Sequence, residues 1–233
     1  MLTKKAVVIH SGGMDSSLCL ALAIERFGRK DVLSLSFDYQ QRHGLAELTQ
    51  AAKICQDWQV DHVVLNIDCL QQITSNALTD HSVTMNKRVP VEGPPNTLVV
   101  GRNGLMARLA AIHADSLQAN CIYLGVEENE NSSYRDCSRT YMDLMQQILQ
   151  IDLDNAYFTI ETPLVAMTKK ETLEVALRLG ILDYLLTNTI TCYRGVAALG
   201  CQECPACTLR NRGIAEFLAE HPDFEMPYLF NPI

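Results

Sequence analysis

Five short runs of apolar, largely β-branched residues punctuate the chain at positions 6–10, 32–37, 62–67, 121–126 and 157–161. Each runs toward a longer stretch in which apolar residues recur every three or four positions. These stretches, 15–27, 45–58, 104–118, 136–150 and 168–179, have the spacing of helices with one buried face, and Gly180 stands where the last should stop. Strand and helix in repeated alternation predict an α/β fold, a parallel sheet with helices on both faces, whose ligands lie beyond the carboxyl ends of the strands. Two regions break the alternation. Residues 68–98 are polar, contain Pro90, Pro94 and Pro95, and are too long for an ordinary connection, so a lid, an excursion or a subunit contact is expected there. Beyond Gly180 the pattern changes around a group of cysteines, which divides the chain into a main α/β unit at 1–185 and a small C-terminal metal-binding region at 186–233.

With 233 residues, 48% of them hydrophobic, the chain can bury a substantial core, which excludes a disordered or fibrous protein. No apolar run approaches the roughly 18 residues of a membrane span, and the first apolar stretch is short for a signal peptide, so a cytoplasmic location with no membrane partner is expected. Lys and Arg number 19 against 27 Asp and Glu, a net charge of −8, which disfavours stable binding to a nucleic acid.

Between the first strand and the first helix stands "SGGMDSS", residues 11–17. Gly12 and Gly13 let backbone N–H groups converge on an anion, and the helix N-terminus adds partial positive charge. Ser11, Ser16 and Ser17 offer hydroxyls to phosphate oxygens, while Asp15 could cap the helix or help hold Mg2+. The stretch lacks the lysine of G-x-x-x-x-G-K-[ST], so a γ-phosphoryl-transfer loop is not indicated. An ordinary capped helix after a strand is the plainer alternative. Arg42 and His43 open a helix, where positive charge opposes the macrodipole, so a functional or tertiary reason is expected.

Nine cysteines are an odd number, and four cluster late as Cys192-x8-Cys201-x2-Cys204-x2-Cys207. That spacing lets a turn aim successive sulfurs at one point, which favours structural zinc, although Fe–S sites use similar runs. Cys19, Cys55, Cys69, Cys121 and Cys137 read mostly as small core residues, with Cys137 a functional candidate. Arg194, Arg210 and Arg212, on an acidic chain, read as ion pairs or a dimer contact.

The stretch "SGGMDSS" resembles the pyrophosphate-binding loop of the PP-loop N-type ATP pyrophosphatases. The segments "SFDYQQRH" (36–43), "PNTLVVGRN" (95–103), "ETPL" (161–164) with Lys169 and Glu171, and "TCYRG" with the four cysteines are similar, in order, to the QueC (ExsB) family. The resemblance covers nearly the whole chain. It implies a Rossmann-like fold of the adenine nucleotide alpha hydrolase type, ATP cleaved at its α-phosphate, and a homodimer. The implied reaction converts 7-carboxy-7-deazaguanine and ammonia into 7-cyano-7-deazaguanine.

By the same resemblance, Ser11, Gly12, Gly13, Met14, Asp15, Ser16 and Ser17 bind the phosphates. Phe37, Asp38, Tyr39, Arg102, Asn103 and Lys169 complete the ATP site, and Asp15, Ser16, Arg102 and Lys169 are the catalytic candidates. Glu128, Ser132, Tyr134 and Asp136 are implied for substrate, and Cys192, Cys201, Cys204 and Cys207 for zinc. The sequence departs from the family pattern at Gln40, at Val99 or Val100, and at Glu127, Glu130, Ser133, Arg135 and Ser138. A paralogue acting on another carboxylate, a tRNA-modifying thiolase and a non-enzymatic nucleotide-binding regulator remain the alternatives.

Overall fold

Ala6, Val7 and Val8 are wholly buried, as befits a central parallel strand covered on both sides. In the computed structural model, which describes residues 3–80, 82–86, 95–128 and 134–229, they form β1 (Ala6–Ile9). The chain continues through α1 (Met14–Phe27), β2 (Val32–Asp38), α2 (Gly44–Trp58), β3 (Asp61–Asn66) and the short α3 (Cys69–Ile73). Then come α4 (Arg102–Ser116), β4 (Cys121–Tyr123), α5 (Arg139–Asp152), β5 (Thr159–Glu161), α6 (Lys169–Arg178), α7 (Leu182–Asn188) and α8 (Pro205–Glu220). The strands are all parallel, in the order β3-β2-β1-β4-β5.

Alternation along the strands divides the core. Ala6, Val8, Val32 and Tyr123 pack with Leu18 of α1, Leu173 of α6 and Phe217 of α8. Val7, Leu33, Leu35 and Ile122 face Ala107 and Ala110 of α4 and Met142 and Leu149 of α5. Strand order reverses at β1, since β2 lies on one side and β4 on the other, and this opens a crevice beyond the ends of β1 and β4.

The expected strands and helices are present, with three informative shifts. First, β4 stops at Tyr123 instead of running to 126. Gly125 passes so close to α1 that a Cβ there would lie 2.9 Å from Asp15 C and Ser16 N, so the chain leaves the sheet to pack on that helix end. Second, α5 begins at Arg139 because Ser138 caps it, its hydroxyl accepting from Tyr141 N, with a single tight turn before it. Third, beyond Gly180 (φ +69°) the chain forms α7 and α8, and Ile214 and Phe217 join the same core as Leu18.

The described part of residues 68–98 folds back on the cysteine region. Ala77, Leu78 and Met85 pack with Cys192, Cys204 and Cys207, and Arg42 Nη2 donates to the carbonyls of Asp80 and Val83. Arg42 thus has a tertiary reason for its place. Among the described residues, no helix is long and apolar enough to cross a membrane.

Candidate active site

At the end of β1 the chain turns through Ser11–Gly12–Gly13 into α1. Gly12 has φ +82°, and a Cβ there would lie 2.6 Å from Glu47 O and 2.8 Å from Ala51 N, so glycine alone lets the loop press onto α2. Gly13 is the N-cap of α1 and supplies no side-chain hydrogen bond, so the first turn presents N–H groups and the positive end of the helix dipole. Ser16 Oγ accepts from Ser11 N at 3.1 Å and donates to Gly13 O at 3.1 Å, and Ser11 Oγ lies 3.1 Å from it. The two hydroxyls frame a ready anion seat.

Ser17 points the other way. It is fully buried, donates to Gly13 O at 2.8 Å and lies 3.0 Å from His10 Nε2. Burial, then His62, lowers the His10 pKa to about 3, so the imidazole is neutral. Because the Ser17 proton goes to Gly13 O, Nε2–H donates to Ser17 and Nδ1 accepts from Ser34, 3.0 Å away. This relay pins the Gly13 carbonyl from behind.

Lys169 opens α6, whose start is fixed by a capping box between Thr168 and Glu171. Its ammonium lies 2.6 Å from Asp15 Oδ1 and 2.7 Å from Glu127 Oε1, with only 3% of its side chain exposed. Burial opposes the charge, but Asp15 and Glu127 together hold the Lys169 pKa above its ordinary value. Burial and then Asp15 push Glu127 up to about 8 against the pull of Lys169. Among the described residues, Glu127 Oε2 is buried without a hydrogen-bond partner.

The opposite wall carries Arg102. Its Nη1 donates to Tyr39 OH at 3.0 Å, and the guanidinium lies 5.6 Å from the centre of that ring. Burial opposes its charge, yet Tyr39, Tyr193, Asp136 and Tyr134 hold its pKa above the ordinary value. Asn103 N donates to Asp136 Oδ2 at 3.0 Å, and Arg139 N donates to Glu128 Oε2 at 3.1 Å. Those two carboxylates therefore steady the first turns of α4 and α5. Tyr134 OH lies 2.7 Å from Thr97 Oγ1. Asn103 Nδ2 donates to Cys137 Sγ, whose pKa burial, then Asp136, pushes up to about 12, so that thiol stays protonated.

A cavity of about 540 Å³ joins these walls, within the range of small-molecule sites. It brings together Ser11, Gly13, Met14, Asp15, Ser16, Phe37, Tyr39, Arg102, Asn103, Tyr134 and Lys169. Gly12, Ser17, Asp38, Glu128 and Asp136 are not among its lining residues. Asp38 instead accepts from Gln40 N. Ser132, with Glu130 and Ser133, lies outside the described residues.

Sequence reasoning assigned no site role to Glu127, Glu47, Thr191, Tyr193 or Arg212, and for His43 it expected only a functional or tertiary reason; all six line the cavity. His43, 3.3 Å from Glu47, and Tyr193 sit inside the quoted motifs "QRH" and "TCYRG", which was the available signal. For Glu127 the signal was an acid two residues past Gly125 at a strand end, and it needed the strand order to become meaningful.

The sulfurs of Cys192, Cys201, Cys204 and Cys207 all lie within 4.8 Å of one another. A tetrahedral ion with Zn–S of about 2.3 Å sets its sulfurs about 3.8 Å apart, and Cys201 and Cys207 are at 4.0 Å. An iron–sulfur cluster ties cysteines to different irons and spreads them wider, so the set fits a single ion such as zinc. Gly200 (φ +67°) is needed at this turn, where a Cβ would meet Cys207 Sγ at 2.4 Å. Arg210 is buried and donates to Leu199 O and Asn211, while Arg194 pairs with Glu203 and Arg212 with Glu216. Two residues before Cys192, Ile190 N donates to Gly12 O at 3.0 Å, which ties the cysteine region to the anion loop.

Residues 5–218 match the family model described as "Queuosine biosynthesis protein QueC". A 7-cyano-7-deazaguanine synthase of Clostridium botulinum (strain 657 / Type Ba4) is 40% identical over 218 residues, 94% of this chain and 98% of that protein. The enzyme of the same name from Clostridium acetobutylicum is 41% identical, over 92% and 95% of the two chains. Among solved structures, the NMN synthetase of Francisella tularensis aligns with a TM-score of 0.48 and 13% identity, over 98% of this chain and 90% of that one.

Proposed function

The chain belongs to the QueC family of queuosine biosynthesis proteins, and on that footing we propose that it makes 7-cyano-7-deazaguanine from 7-carboxy-7-deazaguanine, ammonia and ATP. A carboxylate does not lose oxide unaided. Attack of its oxygen on the α-phosphorus releases pyrophosphate and leaves an acyl-AMP. Ammonia then displaces AMP to give an amide, and a second activation, at the amide oxygen, permits loss of AMP and protons to give the nitrile.

The observation that carries this reading is the uncapped N-terminus of α1 opening onto the cavity beside Lys169, in a chain with full-length synthase relatives. Main-chain N–H groups of the first turn, with Ser11 and Ser16, would hold the departing pyrophosphate. Arg102, held charged opposite, would neutralise the nucleotide, and Phe37 and Tyr39 supply apolar surface for a base. Gly12 and Ser17 act through the loop's shape. Asp15 acts by fixing Lys169. Mg2+ would arrive on ATP, ligated mainly by phosphate oxygens and water, since Lys169 already takes one oxygen of Asp15. Zinc on the four cysteines would be structural, with its free energy of binding added to folding.

The same reading makes this a cytoplasmic enzyme of small molecules, without a stable nucleic-acid partner. A homodimer is supported by Leu144, Ile148 and Ile151, which leave one face of α5 exposed. The test is purified protein with ATP, ammonium and the 7-carboxy compound, followed by mass spectrometry. Nitrile and AMP are expected. AMP formed only with another acid would make the protein a paralogue, and sulfur transferred to tRNA would make it a thiolase.

A further inference from the structure

Asp15, Lys169 and Glu127 meet where the ends of β1 and β4 part, beside the first turn of α1. One ammonium, Lys169 Nζ, answers two carboxylates at 2.6 and 2.7 Å. With both acids ionised the trio carries one negative charge in excess. Lys169 satisfies Glu127 Oε1, but Oε2 has no partner among the described residues, although the side chain is 2% exposed and lines the cavity. A buried carboxylate charge left unmatched is strongly unfavourable, so this oxygen marks a place for a small donor of positive charge.

We propose that Glu127 Oε2 is the binding point for the ammonium ion that supplies the nitrogen of the product. The inference rests on the reaction proposed above, in which ammonia is a substrate. A single excess negative charge matches a monovalent cation. A divalent ion at the same place would face the Lys169 ammonium at close range. A buried carboxylate oxygen of a residue in the cavity wall accepts an N–H from a tetrahedral donor, and Asp15, the trio's other acid, lies within the first turn of α1 itself. Ammonium held there is next to the phosphates, where the acyl-AMP forms, so part of the cost of bringing the two together is met by binding. The upward push on the Glu127 pKa by burial and by Asp15 is what an unmatched charge produces. A proton shared with Asp15 is the competing way to match the same oxygen.

Glu127→Gln separates the two. It keeps the size of the side chain and an oxygen for Lys169 but removes the charge. The KM for ammonium is expected to rise tenfold or more, while the KM for ATP moves less than threefold. Independently of turnover, ammonium chloride is expected to raise the melting temperature of the native protein above its value in sodium chloride of equal ionic strength, and E127Q to lose that increment. An ammonium KM within twofold of native, or equal increments in the two proteins, overturns the proposal and leaves the shared proton. A native protein that forms no nitrile overturns the proposed reaction instead, and the melting increments then decide the ammonium site alone.

Discussion

Replacing Lys169 by Met removes the charge that two acids share while keeping most of the buried stem. Glu127, 2% exposed, loses the positive charge that lets it ionise, whereas Asp15, 24% exposed, can recover part of its hydration. Breaking a buried ion pair from one side costs about 3–5 kcal/mol, which for a chain of this size is about 6–20 °C in melting temperature. The loss must depend on pH. The folded-state pKa of Glu127 is raised above the unfolded value, to about 8 even with Lys169 present, so the stability this group contributes is full below about 4.5 and lost as pH rises through 8. Without Lys169 the pKa lies higher still. Between pH 5 and pH 7 Glu127 is protonated in both folded proteins and the deficit holds steady; above pH 8, where the native Glu127 ionises against Lys169 and the variant's stays protonated, the deficit widens. Thermal melts of native protein, K169M and K169M/E127Q at pH 6 and pH 9.5, in ammonium-free buffer, measure it. A deficit of the same size at both pH values, or a double variant no more stable than K169M, refutes the reasoning.

Two further perturbations probe the elements that shape the site. Cys204→Ser is expected to release the bound metal, lower the melting temperature by about 10 °C or more, and raise the KM for ATP through the Ile190–Gly12 tie; elemental analysis showing metal still bound at the native ratio would exclude Cys204 as a ligand. His10→Phe keeps an aromatic ring but strands Ser34 and frees Ser17, a cost of about 1–3 kcal/mol, and is expected to raise the KM for ATP more than it lowers kcat. If His10 acts through Ser17, then H10F and S17A combine with a coupling of about 0.5–3 kcal/mol, and strictly additive effects on the KM would remove His10 from the positioning of the loop.

Much of the architecture was legible from spacing. Short apolar, largely β-branched runs and longer stretches with apolar residues every three or four positions located the five strands and α1, α2, α4, α5 and α6, but not the short α3 and α7, because burial of one face is written locally. The loop "SGGMDSS" and the cysteine spacing were legible for a related reason, since each places its chemistry within a few residues of backbone. Ser17 shows the limit of that signal. Its neighbours Ser11 and Ser16 face the cavity, but one helical step turns Ser17 toward His10 and into the core. Asp136 and Glu128, adjacent in sequence to the substrate segment, spend their carboxylates on the first turns of α4 and α5.

The amino-acid sequence by itself determined the alternation, the glycine–serine turn after the first strand, the four sulfurs and the family, because each depends on residues close together or on a pattern along the whole chain. Only the tertiary structure decided that β4 lies beside β1, that Glu127 therefore meets Lys169 and Asp15, and that α8 enters the main core. Local periodicity states that a face must be buried without stating against what. The partner is selected by packing between segments more than a hundred residues apart, and the charge balance of the site follows from that choice.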